Sequence, residues 1–365
     1  MGTDTETIAL PTRQLGRNGP SITEVGFGAW AIGGGGWAFG WGTQEDSESV
    51  AAIRHAVARG INWVDTAAVY GYGHSEEVVR RALKEIPTGE RPLVFTKGGL
   101  SWYEDDRFRQ PQRDLRPATI RAEVDASLRR LGVDQIDLYQ FHWPDETGTP
   151  VEESWGELAR QVEAGKVRYA GVSNFDVGLL ERAEKIQHVD SLQPPFSLIN
   201  REAGRDLLTW AREHGTGVIV YSPMQSGLLT GRFSAARVAG LASDDWRQRN
   251  AEFQEPNLSH NMALVEALKP IAARRGATLP EIAVAWVLTW SGVTGAIVGG
   301  RSPEQVDGWI NSPLRKLTPG DLDEIAEALV TTGAGNGPIK SPTNSEDPRS
   351  GNAVSSWGPI KKEEM

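Results

Sequence analysis

The chain has 365 residues, and its 39% hydrophobic and 24% charged residues give an ordinary globular balance with enough apolar material for a large core. Its 38 lysines and arginines stand against 48 aspartates and glutamates, so the formal net charge is −10, which disfavours nucleic acid and anionic membranes as partners. The absence of cysteine excludes disulfides, thiolate nucleophiles and cysteine-ligated metals. No apolar run approaches the roughly 18 residues of a membrane span, and residues 1–13 contain no secretory signal. We therefore expect a soluble cytoplasmic protein.

The N-terminal residues predict an extension followed by a hairpin. Residues 1–14 are interpreted as the N-terminal extension. The next five residues, Leu15-Gly16-Arg17-Asn18-Gly19, are typical of a hairpin with an Asn-Gly turn. We expect this hairpin to plug the N-terminal end of a barrel, whose domain would comprise residues 15–332.

From there the chain alternates short β-branched runs with longer helical patterns, which is typical of parallel βαβ units. The predicted strands are residues 24–30, 63–66, 93–97, 136–142, 169–173, 191–193, 217–222 and 295–298. The predicted helices are residues 47–59, 75–85, 117–131, 151–163, 177–186, 201–213, 261–274, 280–290, 303–310 and 319–329. This alternation favours an α/β fold with a single (β/α)8 TIM barrel and extra C-terminal helices, while a doubly wound sheet remains the alternative.

The last part of the chain has a different composition. Residues 333–365 are rich in glycine, proline, serine and asparagine and have no apolar period. We expect a flexible polar C-terminal tail.

Four chemically complementary side chains fall at the ends of consecutive predicted strands. Asp65 and Tyr70 follow the second strand, Lys97 ends the third and His142 ends the fourth. In a barrel, such positions face one pocket. Tyrosine is a weak acid, with a reference pKa of about 10, but a nearby ammonium would lower that pKa and a carboxylate would keep the lysine charged. The four residues therefore predict a proton donor for a developing alkoxide, with the histidine orienting a carbonyl.

Each of these residues also has a plainer interpretation. Asp65 is compatible with a turn cap, Lys97 with a solvated charge, Tyr70 with surface packing and His142 with a core histidine. The catalytic interpretation depends on all four occurring together.

Three segments around these residues resemble the aldo-keto reductase family. Residues 65–76, DTAAVYGYGHSE, are similar to its signature around the catalytic aspartate and tyrosine. Phe95-Thr96-Lys97 is similar to its lysine position, and residues 139–145, YQFHWPD, to its histidine segment. The likeness runs from about residue 15 to about residue 329, and is to the bacterial-type branch of general aldehyde and ketone reductases and potassium-channel β-subunit-like proteins. It implies NADPH-dependent reduction of an aldehyde, ketone or keto sugar, with the catalytic residues Asp65, Tyr70, Lys97 and His142.

The resemblance also implies a cofactor site. The end of the fifth strand and Gln193 would hold the nicotinamide carboxamide, Tyr221 would stack on the nicotinamide ring, and the loop after it would bind pyrophosphate. The expected cofactor residues are Gly28, Ala29, Trp30, Asp65, Ser173, Asn174, Gln193, Tyr221, Ser222, Pro223, Gly227, Leu228, Gly231, Arg232, Gly299, Gly300, Arg301, Ser302 and Gln305.

The loop after the eighth strand bears on the choice between NADP and NAD. A glycine loop opening a helix offers backbone N–H groups to an anion, and Arg301 and Ser302 suit a phosphate monoester. In the resembled family this loop grips the 2′-phosphate, so we expect NADP. The chain has Gly308-Trp309 where similar enzymes commonly have Glu-Asn. Trp309 is therefore a candidate to stack on the adenine instead.

Aromatic residues predict the wall of a substrate site. Trp30, Tyr70, Trp102, His142 and Trp143 are the expected substrate residues, with Trp37, Trp41 and Tyr103 as further candidates that core or surface packing would explain equally well. The glycines of residues 26–36 do not have the spacing of a dinucleotide fingerprint and fit a loop over the active site better. No histidine and carboxylate cluster has metal-ligand spacing, so no metal is predicted.

Two other functions remain open at this point. Some members of the resembled family are cofactor-binding regulatory subunits of channels with little turnover, an alternative disfavoured by the presence of all four catalytic residue types. A barrel hydrolase or isomerase without nicotinamide is the other. The sequence specifies neither the physiological carbonyl substrate nor the oligomeric state.

Overall fold

The computed structural model describes residues 9–242 and 245–341. In chain order its strands are β1 (Thr12–Gln14), β2 (Ser21–Thr23), β3 (Val25–Gly28), β4 (Trp63–Asp65), β5 (Leu93–Gly98), β6 (Leu100–Ser101), β7 (Gln112–Arg113), β8 (Ile136–Phe141), β9 (Val167–Ser173), β10 (Ser191–Gln193), β11 (Gly217–Val220) and β12 (Gly295–Gly299). Eight of them form a closed barrel of parallel strands in the order β10-β11-β12-β3-β4-β5-β8-β9. The predicted (β/α)8 barrel is therefore confirmed, and the doubly wound alternative is wrong.

The helices surround this barrel. Their bounds are α1 (Asp46–Ala58), α2 (His74–Glu85), α3 (Pro117–Leu131), α4 (Val151–Glu163), α5 (Val177–Glu184), α6 (Leu207–His214), α7 (Ala235–Ala239), α8 (Asn257–Arg275), α9 (Leu279–Leu288), α10 (Pro303–Asp307) and α11 (Pro319–Thr332). Local chemistry explains several of these bounds. Thr278 and Thr318 each start a helix with a capping box, and Gly132 ends α3 in the left-handed conformation.

The sequence misplaced two helical regions. The helix predicted from residue 201 begins at Leu207, because Glu202–Gly204 forms a separate 3-10 turn. The segment between β11 and α8 was predicted to contain no helix, yet it holds α7 and several 3-10 turns. Short turns of this kind are too brief to leave an apolar period in the sequence.

The β1–β2 hairpin closes the N-terminal end of the barrel. Leu15 is fully buried there, in a cluster with Trp63 and Phe95. The backbone N of Arg17 donates to the Gly215 carbonyl at 2.8 Å. A Cβ on Gly16 would lie 2.7 Å from that same carbonyl oxygen, so this close approach requires glycine. The predicted plug is present, and its first strand begins inside the segment interpreted as an extension.

The segment predicted to be a flexible tail is packed against the barrel over residues 333–341. Ala334 is buried, and the backbone of Asn336 donates to Ile199 at 2.9 Å and accepts from Arg201 at 2.8 Å. The backbone N of Ser291 donates to Ser341 Oγ at 3.1 Å. Flexibility is wrong for this part, because backbone pairing of this kind leaves no apolar period in the sequence. Residues 342–365 lie outside the described residues.

Across the described ranges, none of the helices combines the length and the apolarity needed to cross a membrane.

Candidate active site

The four predicted catalytic side chains meet at the carboxyl ends of neighbouring barrel strands. Asp65 ends β4, Lys97 is the penultimate residue of β5, and His142 directly follows β8. Lys97 Nζ forms a buried ion pair with Asp65 and lies 3.0 Å from the Thr66 carbonyl and 3.5 Å from the Tyr70 hydroxyl. The rings of Tyr70 and His142 meet edge to face, with centroids 5.6 Å apart. The structure thus brings all four groups to one place.

Amide side chains hold the far side of Asp65. Its Oδ2 accepts from Gln193 Nε2 at 3.0 Å and from Gln140 Nε2 at 3.4 Å, and Gln193 Nε2 also lies 3.3 Å from Gln140 Oε1. Gln140 was not predicted as a site residue, although a glutamine close to the carboxyl end of a barrel strand was a signal for it. This network fixes the carboxylate against Lys97.

Burial dominates the electrostatics of the ion pair. Desolvation raises the pKa of Asp65 against the lowering effect of Lys97 and the two glutamines. Desolvation likewise lowers the pKa of Lys97 against the raising effect of Asp65. Each charge therefore depends on the other to remain ionised in this interior.

The Tyr70 phenol is a protonated group at neutral pH. Burial raises its pKa well above the ordinary value, and the negative charge of Asp65 raises it further. Lys97, whose Nζ lies 3.5 Å from the Tyr70 hydroxyl, is not among the groups that shift this pKa, so the expected lowering by Lys97 stays a prediction. Lys97 is placed to stabilise the phenolate once the proton has left.

His142 is neutral. Burial, and to a smaller extent the charge of Lys97, lowers its pKa well below the ordinary value. Its backbone N donates to the Gly98 carbonyl at 2.9 Å, which holds the residue at the end of β8. Among the described residues, Nδ1 has no hydrogen-bond partner, and the side chain lines a cavity. A neutral imidazole with one N–H donor is suited to orient a carbonyl oxygen.

That cavity has a volume of about 410 Å³ and a largely aromatic wall. Of the predicted substrate residues, Trp30, Tyr70, His142 and Trp143 line it, and so does Trp37. The sequence did not identify further lining residues, among them Phe39, Gln110, Arg113, Asn200, Gln225, Trp246 and Asn250.

Trp102 is not among the residues that line this cavity, and its role as a substrate residue stays a prediction. Its indole stacks on Tyr72 at 5.3 Å with an interplanar angle of 4°. Tyr103 is likewise outside the wall, covered by the Arg109 guanidinium at 3.6 Å from the ring centroid. Trp246, which was not predicted, lines the cavity and stacks on Trp30 at 5.1 Å.

A second cleft of about 310 Å³ adjoins the cavity and shares Trp30, Tyr70, Gln193, Tyr221, Ser222 and Ser226 with it. The predicted cofactor residues that line this cleft are Gly28, Ala29, Trp30, Asp65, Gln193, Tyr221, Ser222, Pro223, Gly227, Arg232, Gly299, Gly300, Arg301 and Gln305.

Ser173 and Asn174 line the first cavity at its junction with this cleft. Ser173 Oγ donates to the Gln193 carbonyl at 2.7 Å, and Asn174 Nδ2 donates to the His142 carbonyl at 2.9 Å. The Tyr221 hydroxyl donates to Asn174 Oδ1 at 2.9 Å. The amide and the aromatic ring predicted for the nicotinamide therefore lie beside the catalytic residues.

Three predicted cofactor residues line neither cavity. Leu228 is buried in the hydrophobic core. Gly231 has φ +72, and a Cβ there would lie 2.5 Å from Leu279, so both the turn and the close approach require glycine. Ser302 is the N-cap of α10. The cofactor contacts of these three residues stay predictions.

Four arginines, Arg232, Arg237, Arg247 and Arg301, line the second cleft. In a chain with a net charge of −10, such a concentration of guanidinium groups suits a phosphorylated ligand. The sequence identified Arg232 and Arg301 but not Arg237 and Arg247, which lie in α7 and in a 3-10 turn between β11 and α8. Trp309 also lines the cleft, and its indole N–H has no partner in the described part of the chain.

Arg301 connects two loops around this cleft. Its guanidinium donates to Gln44 Oε1 at 2.5 Å, to the Trp41 carbonyl at 3.3 Å and to the Thr43 carbonyl. Trp41, a further candidate for the substrate wall, lines the second cleft. Within residues 9–242 and 245–341 no group of three or more histidine, aspartate or glutamate side chains is arranged to hold a metal ion.

Residues 24–330 match the family model described as "Aldo/keto reductase family". The chain belongs to this family of oxidoreductases, which use a nicotinamide cofactor and act on small carbonyl compounds. It is 34% identical over 336 residues to "Aldo-keto reductase YhdN" of Bacillus subtilis (strain 168), covering 90% of this chain and 97% of that protein. It is 35% identical over 327 residues to "NADH-specific methylglyoxal reductase" of Escherichia coli (strain K12), covering 86% and 98%.

A solved structure is similar over nearly the same length. The glycerol dehydrogenase AKR11B4 from Gluconobacter oxydans superimposes with a TM-score of 0.79 at 37% identity, covering 91% of this chain and 98% of that one.

Proposed function

We propose that this protein reduces an aldehyde or ketone to the alcohol, with NADPH as the hydride donor. The observation that carries the proposal is the buried Asp65–Lys97 pair beside a protonated Tyr70, at the base of a cavity that joins an arginine-lined cleft. A relative named as a methylglyoxal reductase and another named as a glycerol dehydrogenase support a small oxygenated substrate.

The residues present fit a nicotinamide dinucleotide. Asn174 and Gln193 offer amide groups at the junction of the two cavities, and Tyr221 offers a ring beside them. Ser222 and Gly227 have positive φ values of 55° and 97°, which turn the backbone of the loop that lines the cleft. Four guanidinium groups line the same cleft, and their positive charge suits the phosphates of the cofactor. A reduced nicotinamide supplies a hydride when it is bound.

The chain's own residues supply the remaining chemistry. Tyr70 donates its phenolic proton to the carbonyl oxygen as negative charge develops there. Lys97 stabilises the resulting phenolate from 3.5 Å, and Asp65 keeps Lys97 charged. Neutral His142 orients the carbonyl oxygen without adding a charge.

Preference for NADPH over NADH rests on the charge of the cleft. The 2′-phosphate adds about two negative charges to the cofactor, and Arg232, Arg237, Arg247 and Arg301 are the cationic residues that line the cleft. The relative from Escherichia coli is named as NADH-specific, so membership of the family alone does not decide the cofactor.

The location in the cytoplasm stays a prediction from the sequence.

The test is to incubate the purified protein with each reduced cofactor and a panel of aldehydes and ketones, and to follow both cofactor oxidation and alcohol formation. We expect one alcohol formed per NADPH oxidised, and a lower Kd for NADPH than for NADH. Tight NADPH binding without turnover on any carbonyl would instead support the regulatory-subunit alternative, and failure to bind either cofactor would contradict the proposal.

A further inference from the structure

Arg113 gives the substrate cavity a charge that the proposed chemistry does not use. Among the described residues that line the cavity, it is the only aspartate, glutamate, lysine or arginine, and His142 is neutral. The other polar lining groups are amides and hydroxyls. A single cation in a largely aromatic wall, within a chain of net charge −10, calls for an explanation.

Contacts with three residues, Leu100, Trp143 and Glu146, fix the position of Arg113. It ends β7, where it pairs with Leu100 of β6 in a hairpin outside the barrel. Its guanidinium carbon lies 4.2 Å from the centroid of Trp143. Its Nη1 donates to Glu146 Oε1 at 2.7 Å, and its carbonyl accepts from the Glu146 backbone N at 3.2 Å. The guanidinium is therefore held in place before any substrate binds.

The contact with Glu146 uses only one nitrogen of Arg113. No hydrogen bond to Nε or Nη2 is formed within the described ranges. The Glu146 side chain is 57% exposed, so water screens its charge and the ion pair contributes little to the stability of the fold. A guanidinium presents its donors in a fixed fork that matches two oxygens of a carboxylate or phosphate.

Trp143 links this cation to the reaction centre. It directly follows His142 in the chain, and both side chains line the cavity. A substrate whose carbonyl oxygen is held by Tyr70 and His142 would therefore extend along Trp143 toward Arg113. A short carbon chain with a negative charge at its far end fits this arrangement.

We propose that Arg113 is a specificity residue that selects carbonyl substrates carrying an anionic group, a carboxylate or a phosphate monoester, at the end away from the carbonyl. This inference rests on the proposed carbonyl reduction. The pair with Glu146 keeps the guanidinium positioned, while Glu146 competes weakly with the substrate's anion for the same charge.

The experiment compares kcat/KM within two matched pairs of substrates, 4-oxobutanoate against butanal and glyceraldehyde 3-phosphate against glyceraldehyde. The proteins are the wild type, Arg113→Gln, Glu146→Gln and the control Arg109→Gln. Arg109 belongs to the same β6–β7 connection, but its guanidinium covers Tyr103 and does not line the cavity.

We expect Arg113→Gln to lower the ratio of anionic to neutral kcat/KM by about tenfold or more, the usual effect of losing a hydrogen bond to a charged group. Glu146→Gln should raise the ratio, and Arg109→Gln should leave it unchanged. A response confined to one pair would identify the anion as carboxylate or phosphate.

Two negative results have different meanings. Reduction of the neutral aldehydes, with a ratio that Arg113→Gln and Glu146→Gln do not change, would overturn the role of Arg113 and leave the proposed function intact. Reduction of neither member of either pair, nor of any carbonyl in the wider panel, would overturn both.

Discussion

Asp65 has a structural and a proposed catalytic role. Its two carboxylate oxygens bind Lys97 on one side and Gln193 and Gln140 on the other, inside the barrel. An ion pair buried this deeply tolerates the loss of either partner poorly, since the remaining charge would have no compensation. The catalytic and structural roles of the pair are therefore inseparable in a single substitution, and a double variant is needed to distinguish them.

Replacing Asp65 with asparagine tests this coupling. We expect Asp65→Asn to lower kcat at least tenfold and the free energy of unfolding by about 3 kcal/mol, because Lys97 loses its counter-charge. Lys97→Met in the same chain should recover part of the stability but none of the activity. Denaturant unfolding and steady-state kinetics give the two quantities. Additive stability losses in the double variant would contradict the coupling.

The shifted pKa values predict the pH profile of reduction. Tyr70 acts as an acid and must be protonated; since burial raises its pKa well above the ordinary value, activity is retained as pH rises through neutrality. His142, with its pKa well below the ordinary value, has already lost its proton there. We expect kcat/KM for reduction to be flat from about pH 6 to about pH 9. A break near pH 6.5 would contradict a neutral His142.

Among the elements, α3 carries a partly buried acid, Glu123, that lies behind the site. Glu123 accepts a hydrogen bond from the Gly99 backbone N, next to the Gly98 carbonyl that holds His142. Burial raises the pKa of Glu123 to about 7, opposed by the Gly99 hydrogen bond and reinforced by Asp114. The carboxyl is therefore protonated in the folded protein at pH values where it would ionise in the unfolded chain.

This shift gives a stability prediction with a definite sign. Between about pH 4.5 and about pH 7 the folded state holds a proton that the unfolded state loses, so rising pH destabilises the fold until both states are ionised. We expect Glu123→Gln to remove this slope and to be more stable than the wild type above pH 7, by on the order of 1 kcal/mol. Exposed Glu90→Gln is the control in the same denaturation series. An unchanged slope would mean that Glu123 is ionised in the fold.

At the scale of the whole molecule, one end of the barrel stabilises the fold and the other carries the two cavities. The β1–β2 hairpin packs Leu15 into the N-terminal end, and both cavities open at the carboxyl ends of the strands. We expect Leu15→Ala to lower the free energy of unfolding by about 2–5 kcal/mol through the cavity it leaves. At temperatures where the variant is folded, kcat and KM should equal those of the wild type. A change in KM would show that the two ends are coupled.

The sequence predicted the parts of the molecule that local patterns encode. Each barrel strand lies within two residues of its predicted bounds, because β-branched runs and the helices between them are local signals. Side chains ending those strands, such as Asp65 and Lys97, were found with them. Arg113 and Trp246 were not, because they lie in short elements of two and four residues between the barrel strands and helices. Their place in the wall depends on tertiary contacts such as the stacking of Trp246 on Trp30.

The central claim is that Tyr70 donates the proton while the rest of the site binds the cofactor, and Tyr70→Phe tests it most directly. The measurement is the single-turnover rate of aldehyde reduction beside the Kd for NADPH from quenching of tryptophan fluorescence. We predict that the rate falls at least 100-fold, since general acid catalysis contributes about that much or more, while the Kd changes less than about threefold. A variant that reduces the aldehyde at the wild-type rate would contradict the account.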